Sequence, residues 1–124
     1  MTLPKCMAIL VGLSLWTVAS AQPDLQSQVC LGGTQNEFAH AAIVTSDGGA
    51  ISVGNTYSED GDVGPAHGQM DLWVVKTDAS GAVQWQRCLG GSDFENAFSV
   101  IQTNDGGYAV IGFTGSINGD VDSP

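Results

Sequence analysis

The sequence predicts an all-β fold built from a repeated unit, and three observations support this prediction. Residues 28–63 align with residues 86–121 without a gap, and half of the aligned positions are identical. Runs of β-forming residues flank short Asp-Gly turns in both copies. After Ala21, no segment longer than a turn has helical periodicity. We therefore expect one structural unit that recurs with a period of about 58 residues.

Each copy begins with a predicted β-hairpin. In the first copy, the runs at residues 39–45 and 50–56 flank the letters "DGG" at residues 47–49. In the second copy, the runs at residues 97–103 and 108–114 flank the same letters at residues 105–107. Such turns need residues that accept a positive φ at little cost, and Asp-Gly supplies them. The two segments are therefore expected to fold in the same way.

A second hairpin lies between the copies. Residues 71–77 and 82–88 flank "DASG" at residues 78–81, a pattern typical of a type I turn followed by glycine. Two hairpins give four strands, the content of one β-propeller blade, and residues 57–70 supply a long extra loop. Residues 71–77 and 108–114 are apolar on both faces, which is typical of a sheet stacked between neighbours.

Residues 1–21 are predicted to be a secretory signal peptide. Lys5 precedes an apolar run over residues 7–18, and Ala19-Ser20-Ala21 has the small-x-small pattern that signal peptidase reads. The run is shorter than the roughly 20 residues that a membrane span needs. The mature chain is then expected to begin at Gln22, with a first unit at residues 22–85 and a truncated second unit at residues 86–124. We expect a secreted, extracellular or cell-surface location, with the periplasm as a further possibility.

The charge of the mature chain excludes some partners. Lys76 and Arg87 are its only strong cations, against thirteen Asp and Glu residues. Nucleic-acid binding depends on Lys and Arg contacts with phosphates. We therefore predict no binding to nucleic acid or to anionic membranes. The short apolar run separately predicts no membrane span after signal cleavage.

Two acidic loops are candidate calcium sites. Oxygen-bearing residues stand at alternate positions there, as hard cations require: Asp60, Asp62, Asn118, Asp120 and Asp122. Neither loop completes a known calcium-binding pattern. The same letters also fit turns in which Asp side chains bind the backbone. No cofactor other than calcium is indicated.

The histidines do not indicate catalysis. His40 lies in a predicted strand at the position of Phe98 in the second copy, so we interpret it as a packing residue. His67 lies in the long loop and is interpreted as shaping it. No nucleophile elbow, zinc-protease motif or phosphate-binding loop is present in the sequence. We therefore expect no catalytic residues and no enzymatic activity.

The cysteines and tryptophans each allow two interpretations. Cys30 and Cys88 occupy equivalent positions, and we favour two free, buried thiols over a disulfide, which a secreted protein also permits. Trp73 and Trp85 flank the turn at residues 78–81. We favour core packing for both over a stacking platform for sugars.

The unit resembles the repeats of large secreted bacterial proteins with β-propeller-like domains, which are common in Bacteroidetes. The resemblance is carried by the "DGG" turn and by these residues: Gly54, Thr56, Ser58, Asp60-Gly61-Asp62-Val63, His67-Gly68, Asp71, Trp73-Val74-Val75-Lys76, Asp78, Gly81, Trp85 and Leu89-Gly90-Gly91. The repeat, the predicted signal peptide and the lack of catalytic motifs favour a non-enzymatic repeat module that contacts protein or glycan at the cell exterior. Two alternatives stay open: the non-catalytic piece of a secreted hydrolase, and a calcium-stabilised structural protein.

The second unit stops at Pro124, before a counterpart of the hairpin at residues 71–88. Because about three or more stacked units are normally needed for a stable core, we expect an N-terminal piece of a longer repeat protein. A standalone β-sandwich and an assembly of several copies stay open. If neighbouring units are missing, Ile111 and Phe113 should face water, and the chain should be marginally stable or self-associating.

Overall fold

A computed structural model describes residues 28–121, which form six β-strands and no helix. The strands are β1 (Glu37–Val44), β2 (Ala50–Thr56), β3 (Asp71–Thr77), β4 (Val83–Leu89), β5 (Glu95–Gln102) and β6 (Tyr108–Thr114). The all-β prediction is confirmed for this part of the chain, and β2, β3 and β6 have the predicted bounds at both ends. The predicted signal peptide and Asp122 lie outside the described residues.

Strands β1 to β4 form one antiparallel sheet in chain order. The β1–β2 turn is closed by a hydrogen bond from the backbone N–H of Thr45 to the carbonyl of Gly49, 2.9 Å long. Gly48 and Gly81 have φ of 82° and 87°, the left-handed conformation for which glycine was expected in the two turns. Strand β4 runs across the predicted unit boundary between residues 85 and 86.

Strands β5 and β6 form a separate antiparallel pair. Its register has an irregularity between Ala97 and Ser99, and β1 has one between Ala39 and Ala41. These positions are equivalent in the two copies. The hairpin joins the first sheet where the backbone N–H of Glu95 donates to the carbonyl of Met70 at 2.8 Å.

The core lies between the four-stranded sheet and the β5–β6 hairpin. Ile51, Val53 and Val74 of the sheet pack against Ala97 and Val100 of the hairpin. All five are buried. A second cluster lies on the opposite face of the sheet and comprises Val63, Trp73, Val75 and Cys88. Strand β3 is therefore covered on both faces, as its sequence predicted.

Two packing predictions are wrong. His40 is exposed, and its Nε2 lies 2.7 Å from Oδ1 of Asn55; it stands at the irregularity in the register of β1 with β2. Its counterpart Phe98 is 57% exposed. Trp85 is 38% exposed and contacts the ring of Tyr108, with ring centroids 5.9 Å apart, so only Trp73 packs in the core as expected.

Neither Cys30 nor Cys88 forms a disulfide, which confirms the prediction of free thiols. Only Cys88 is buried; Cys30 is exposed, so the prediction of burial is wrong for it. Cys30 precedes β1 and is not covered by a sheet, whereas Cys88 lies in β4 beside Trp73.

The two sheets do not close into a propeller or barrel within residues 28–121. In the same range, the structure contains no helix that could cross a membrane. The exposure predicted for the hairpin is observed, since Ile111 is 66% and Phe113 is 56% exposed.

Candidate functional site

The loop that follows β2 folds back onto the segment that precedes β1. Three side-chain oxygens of the loop accept backbone N–H groups of that segment: Asp60 Oδ1 from Thr34 at 2.8 Å, Asp62 Oδ2 from Gly32 at 3.2 Å, and Ser58 Oγ from Gln35 at 2.9 Å. We call this arrangement the first latch. It fixes the end of the β1–β2 hairpin through side-chain to backbone bonds.

The loop that follows β6 makes the same bonds with the segment that precedes β5. Here too, side-chain oxygens accept backbone N–H groups: Asn118 Oδ1 from Ser92 at 2.9 Å, Asp120 Oδ2 from Gly90 at 3.4 Å, and Ser116 Oγ from Asp93 at 2.9 Å. We call this the second latch. Each donor and each acceptor stands at the position equivalent to its counterpart in the first latch.

A glutamate lies at the centre of each latch. Glu37 accepts from Thr56 Oγ1 at 3.0 Å and from the backbone of Gly33 at 3.3 Å. Glu95 accepts from Thr114 Oγ1 at 2.8 Å and from the backbone of Gly91 at 3.0 Å. Neither glutamate was predicted from the sequence, although a Glu shared by the two copies at the start of a strand was a usable signal.

Glu95 is only 2% exposed. Burial alone would raise the pKa of this carboxyl group, but hydrogen bonds from Ser116, Gly91 and Thr114 lower it below its ordinary value. Glu95 is therefore held as a carboxylate that organises the second latch.

The latches bring two backbone segments into close approach at a glycine. Gly61 has φ of 69°, and a Cβ there would collide with the carbonyl oxygen of Gly32. Gly119 has φ of 75°, and a Cβ there would collide with the oxygen of Gly90 in the same way. Any other residue would be strained at either position and would push the segments apart.

The predicted calcium ligands thus bind backbone groups in both latches. Asp60, Asp62, Asn118 and Asp120 all do so, while Asp122 is outside the described residues. No group of three or more His, Cys, Asp or Glu side chains is arranged to hold a metal ion within residues 28–121. The latch bonds match the turn interpretation of these letters, and a calcium site remains a prediction.

His67 joins the long loop of the first unit to the second latch. Its Nδ1 lies 3.5 Å from Asp71 Oδ2, and its Nε2 lies 3.7 Å from Asp120 Oδ2. Its backbone N–H also donates to Asp71. The Asp71 side chain is fully buried, and its Oδ1 has no hydrogen-bond partner within the described structure. A protonated His67 would therefore attract two carboxylates from two parts of the fold.

The buried Lys76 is hydrogen-bonded to groups nearer the surface, and this cluster was not predicted from the sequence. Lys76 is 2% exposed, and its Nζ donates to Asp47 Oδ2 at 2.8 Å, the carbonyl of Thr77 at 2.7 Å and Gln84 Oε1 at 3.0 Å. Hydrogen bonds from Lys76 and then Thr45 hold the pKa of the Asp47 carboxyl group well below its usual range. The cluster ties the β1–β2 turn to the β3–β4 hairpin.

A cavity of about 450 Å³ opens on the face of the four-stranded sheet that lies away from β5 and β6. Its lining is mostly apolar and includes Ala39, Ser52, Gly54, Trp73 and Val75. No titratable side chain except Glu37 lines it, and the latch already uses that carboxylate. This lining favours binding of an apolar group over catalysis.

Comparisons of the chain with protein-family models, with curated proteins and with solved structures found no match.

Proposed function

We propose that this chain is a non-enzymatic binding or structural repeat module of a secreted or cell-surface protein with a larger β-propeller-like architecture. The observation that carries the proposal is the pair of latches, in which equivalent residues make the same hydrogen bonds around two hairpins. The hairpins also belong to sheets that pack face to face through apolar residues. Face-to-face packing of similar sheets is how propeller blades build a core.

The use of the polar residues supports a binding or structural role. The carboxylates of Glu37, Asp60, Asp62 and Glu95 accept hydrogen bonds from the backbone or from hydroxyl groups within their own latch. Such bonds fix the loops in one conformation and so provide a rigid surface for contact with a protein or glycan. The predicted signal peptide and the acidic mature chain fit an exterior location.

The β6 edge provides a test of the proposed repeat. In the four-stranded sheet, β2 pairs with both β1 and β3, whereas β6 pairs only with β5. We expect that a copy of residues 64–89, appended after Val121, would pair with β6 and complete a second four-stranded sheet. The thermal midpoint should rise by about 4–8 °C for each kcal/mol that the added hairpin contributes.

A matched control carries proline in place of Val74 in the appended copy, since proline is not tolerated in a central strand. Thermal unfolding followed by circular dichroism compares the two extended chains with the original. A rise that is limited to the extension without proline supports the repeat module. An unchanged midpoint, or an equal rise with the proline control, would contradict it.

A further inference from the structure

One face of the β5–β6 hairpin is an exposed apolar surface. It carries Phe98, Ile101, Ile111 and Phe113, which are 57%, 58%, 66% and 56% exposed. Ile111 and Phe113 alternate along β6, and Ile101 pairs with Ala109 on the same side of the hairpin. We call this surface the outer hairpin face. Four large apolar side chains exposed together mark an interaction site on a soluble protein.

The face of the four-stranded sheet that lies away from the hairpin is open at β1, beside the buried residues of β2 and β3. Ala39 and Ala42 of β1 are exposed there, and Ala42 pairs with Ser52 of β2. The cavity of about 450 Å³ lies on this side of the sheet and is lined by Gly54 and Val75. We call this surface the outer sheet face. Its small residues leave space for larger side chains from a partner.

The interface inside the molecule already joins one surface of each kind. The sheet contributes Ile43, Ile51 and Val53, which stand at the positions of Ile101, Ala109 and Ile111 in the hairpin. The outer hairpin face is therefore the counterpart of the buried face of the sheet.

The hairpin contributes Ala97, Val100 and Val110 to the same interface. These residues stand at the positions of Ala39, Ala42 and Ser52, so the outer sheet face is the counterpart of the buried face of the hairpin. Ala97 is fully buried and Val100 is 3% exposed, whereas Ala39 and Ala42 are exposed. The molecule therefore has two equivalent pairs of surfaces. One pair is packed together in the core, and the other pair, the outer hairpin face and the outer sheet face, is separated.

We propose that the outer hairpin face of one copy docks on the outer sheet face of a second copy, head to tail. This contact repeats the observed interface between the sheet and the hairpin, with the two surfaces supplied by two molecules. The occupant is a second copy because, within residues 28–121, the outer sheet face repeats the positions through which the hairpin already packs on the sheet.

The composition of the outer hairpin face strengthens the proposal. At the positions of Phe98 and Phe113, the sheet has His40 and Asn55, whose side chains are hydrogen-bonded to each other. The hairpin thus replaces a polar pair with two phenylalanines. Burying them removes apolar area from water and, unlike burial of His40 and Asn55, places no polar atom of these two side chains in the contact.

The geometry makes the association heterologous, so each copy offers one surface of each kind and can bind two neighbours. The formal net charge of −10 opposes association between copies. Salt screens this repulsion, and so association should strengthen when salt is raised from about 0.05 M to about 0.5 M. A contact based on opposite charges would weaken instead.

Sedimentation velocity on the protein purified after expression of the full chain tests the proposal. Ile111→Glu places a charge on the outer hairpin face, and Ala42→Glu places one on the outer sheet face. Both positions are exposed, so the fold should tolerate either change. Ile117→Glu, at a residue 82% exposed in the loop after β6, is the matched control.

The parent protein and the Ile117→Glu control should form oligomers larger than dimers as concentration rises. Each face variant alone should associate at least about tenfold more weakly. An equimolar mixture of the two face variants should form a dimer and nothing larger, because one intact surface of each kind remains. Circular dichroism shows that each variant is folded.

A monomeric parent protein would overturn the proposal, as would a mixture that stays monomeric. Dimers of the Ala42→Glu variant alone that form at the concentrations where the parent protein associates would also overturn it, since they would show contact between two outer hairpin faces. These outcomes are independent of the extension at β6, whose measurement is the thermal midpoint of the chain.

Discussion

The four-stranded sheet and the β5–β6 hairpin have equivalent residues but are covered on opposite faces. Val53 is 1% exposed in the sheet, whereas its counterpart Ile111 is 66% exposed in the hairpin. The reverse holds for Ala97, which is fully buried, and its exposed counterpart Ala39. Residue type therefore does not decide burial here; the presence of a neighbouring sheet does. Pairs of equivalent residues in different surroundings offer direct tests of this difference.

The largest difference is expected between the two cysteines. Burial, and then the negative charge of Asp71, raises the pKa of the Cys88 thiol to about 11. At pH 8 only about one Cys88 in a thousand is then a reactive thiolate. In a Cys6→Ser background, iodoacetamide should alkylate Cys30 at least about a hundredfold faster than Cys88.

Mass spectrometry of peptides over time measures both alkylation rates in one sample. Cys30→Ser should remove the fast reaction and leave the slow one. Equal rates at the two sites in folded protein would show that β4 does not shield Cys88.

A smaller difference is expected for two apolar truncations. Val53→Ala removes methyl groups from the core between the sheets and should lower the free energy of unfolding by about 2–3 kcal/mol. Ile111→Ala removes exposed atoms and should cost less than about 0.5 kcal/mol. Urea unfolding at a concentration where the protein is monomeric measures both, and equal losses would contradict the assigned faces.

Much of the strand arrangement in the sheet and the hairpin could be predicted from sequence, because turn residues and alternating apolar residues are local signals. The Asp-Gly turns and the alternation of apolar residues placed β2, β3 and β6 correctly. The exposure of Ile111 was also expected from the repeat. By contrast, the register irregularity at His40 has no local signal, since it depends on how β1 pairs with β2.

The polar clusters were harder to predict because their partners are distant in sequence. Glu95 is bonded by Thr114, nineteen residues away, and Lys76 by Asp47, twenty-nine residues away. A buried Lys is also rare unless it is paired. The position of Lys76 in a predicted strand therefore did not indicate that its side chain is buried. The latch residues Asp60 and Asp62 were recognised as turn formers, but their partners were not.

The smallest expected effect is the pH dependence of the stability that Glu95 contributes. The pKa of Glu95 is lowered in the folded chain from an ordinary value of 4.5, so its stabilising contribution is present above about pH 4.5. It is lost as the pH falls through the lower folded value. Glu95→Gln should cost about 1–2 kcal/mol at pH 7 and less at pH 3.

Unfolding midpoints in urea at several pH values test this difference. Glu59→Gln, at an exposed residue of the first loop, is the control and should leave the pH dependence of stability close to that of the parent protein. A Glu95→Gln protein that loses stability with acid as steeply as the parent would show that Glu95 is not a main source of the dependence.

The placement of the cations has a consequence for proteolysis. Trypsin cleaves after Lys and Arg, and beyond Lys5 the chain has only Lys76 and Arg87. Lys76 is buried in β3. Arg87 lies in β4, where its backbone pairs with that of Val74 in β3. Cleavage at either site requires the β3–β4 hairpin to open, so the rate of digestion reports the free energy of that opening. Trypsin thus measures how readily the β3–β4 hairpin becomes accessible in solution.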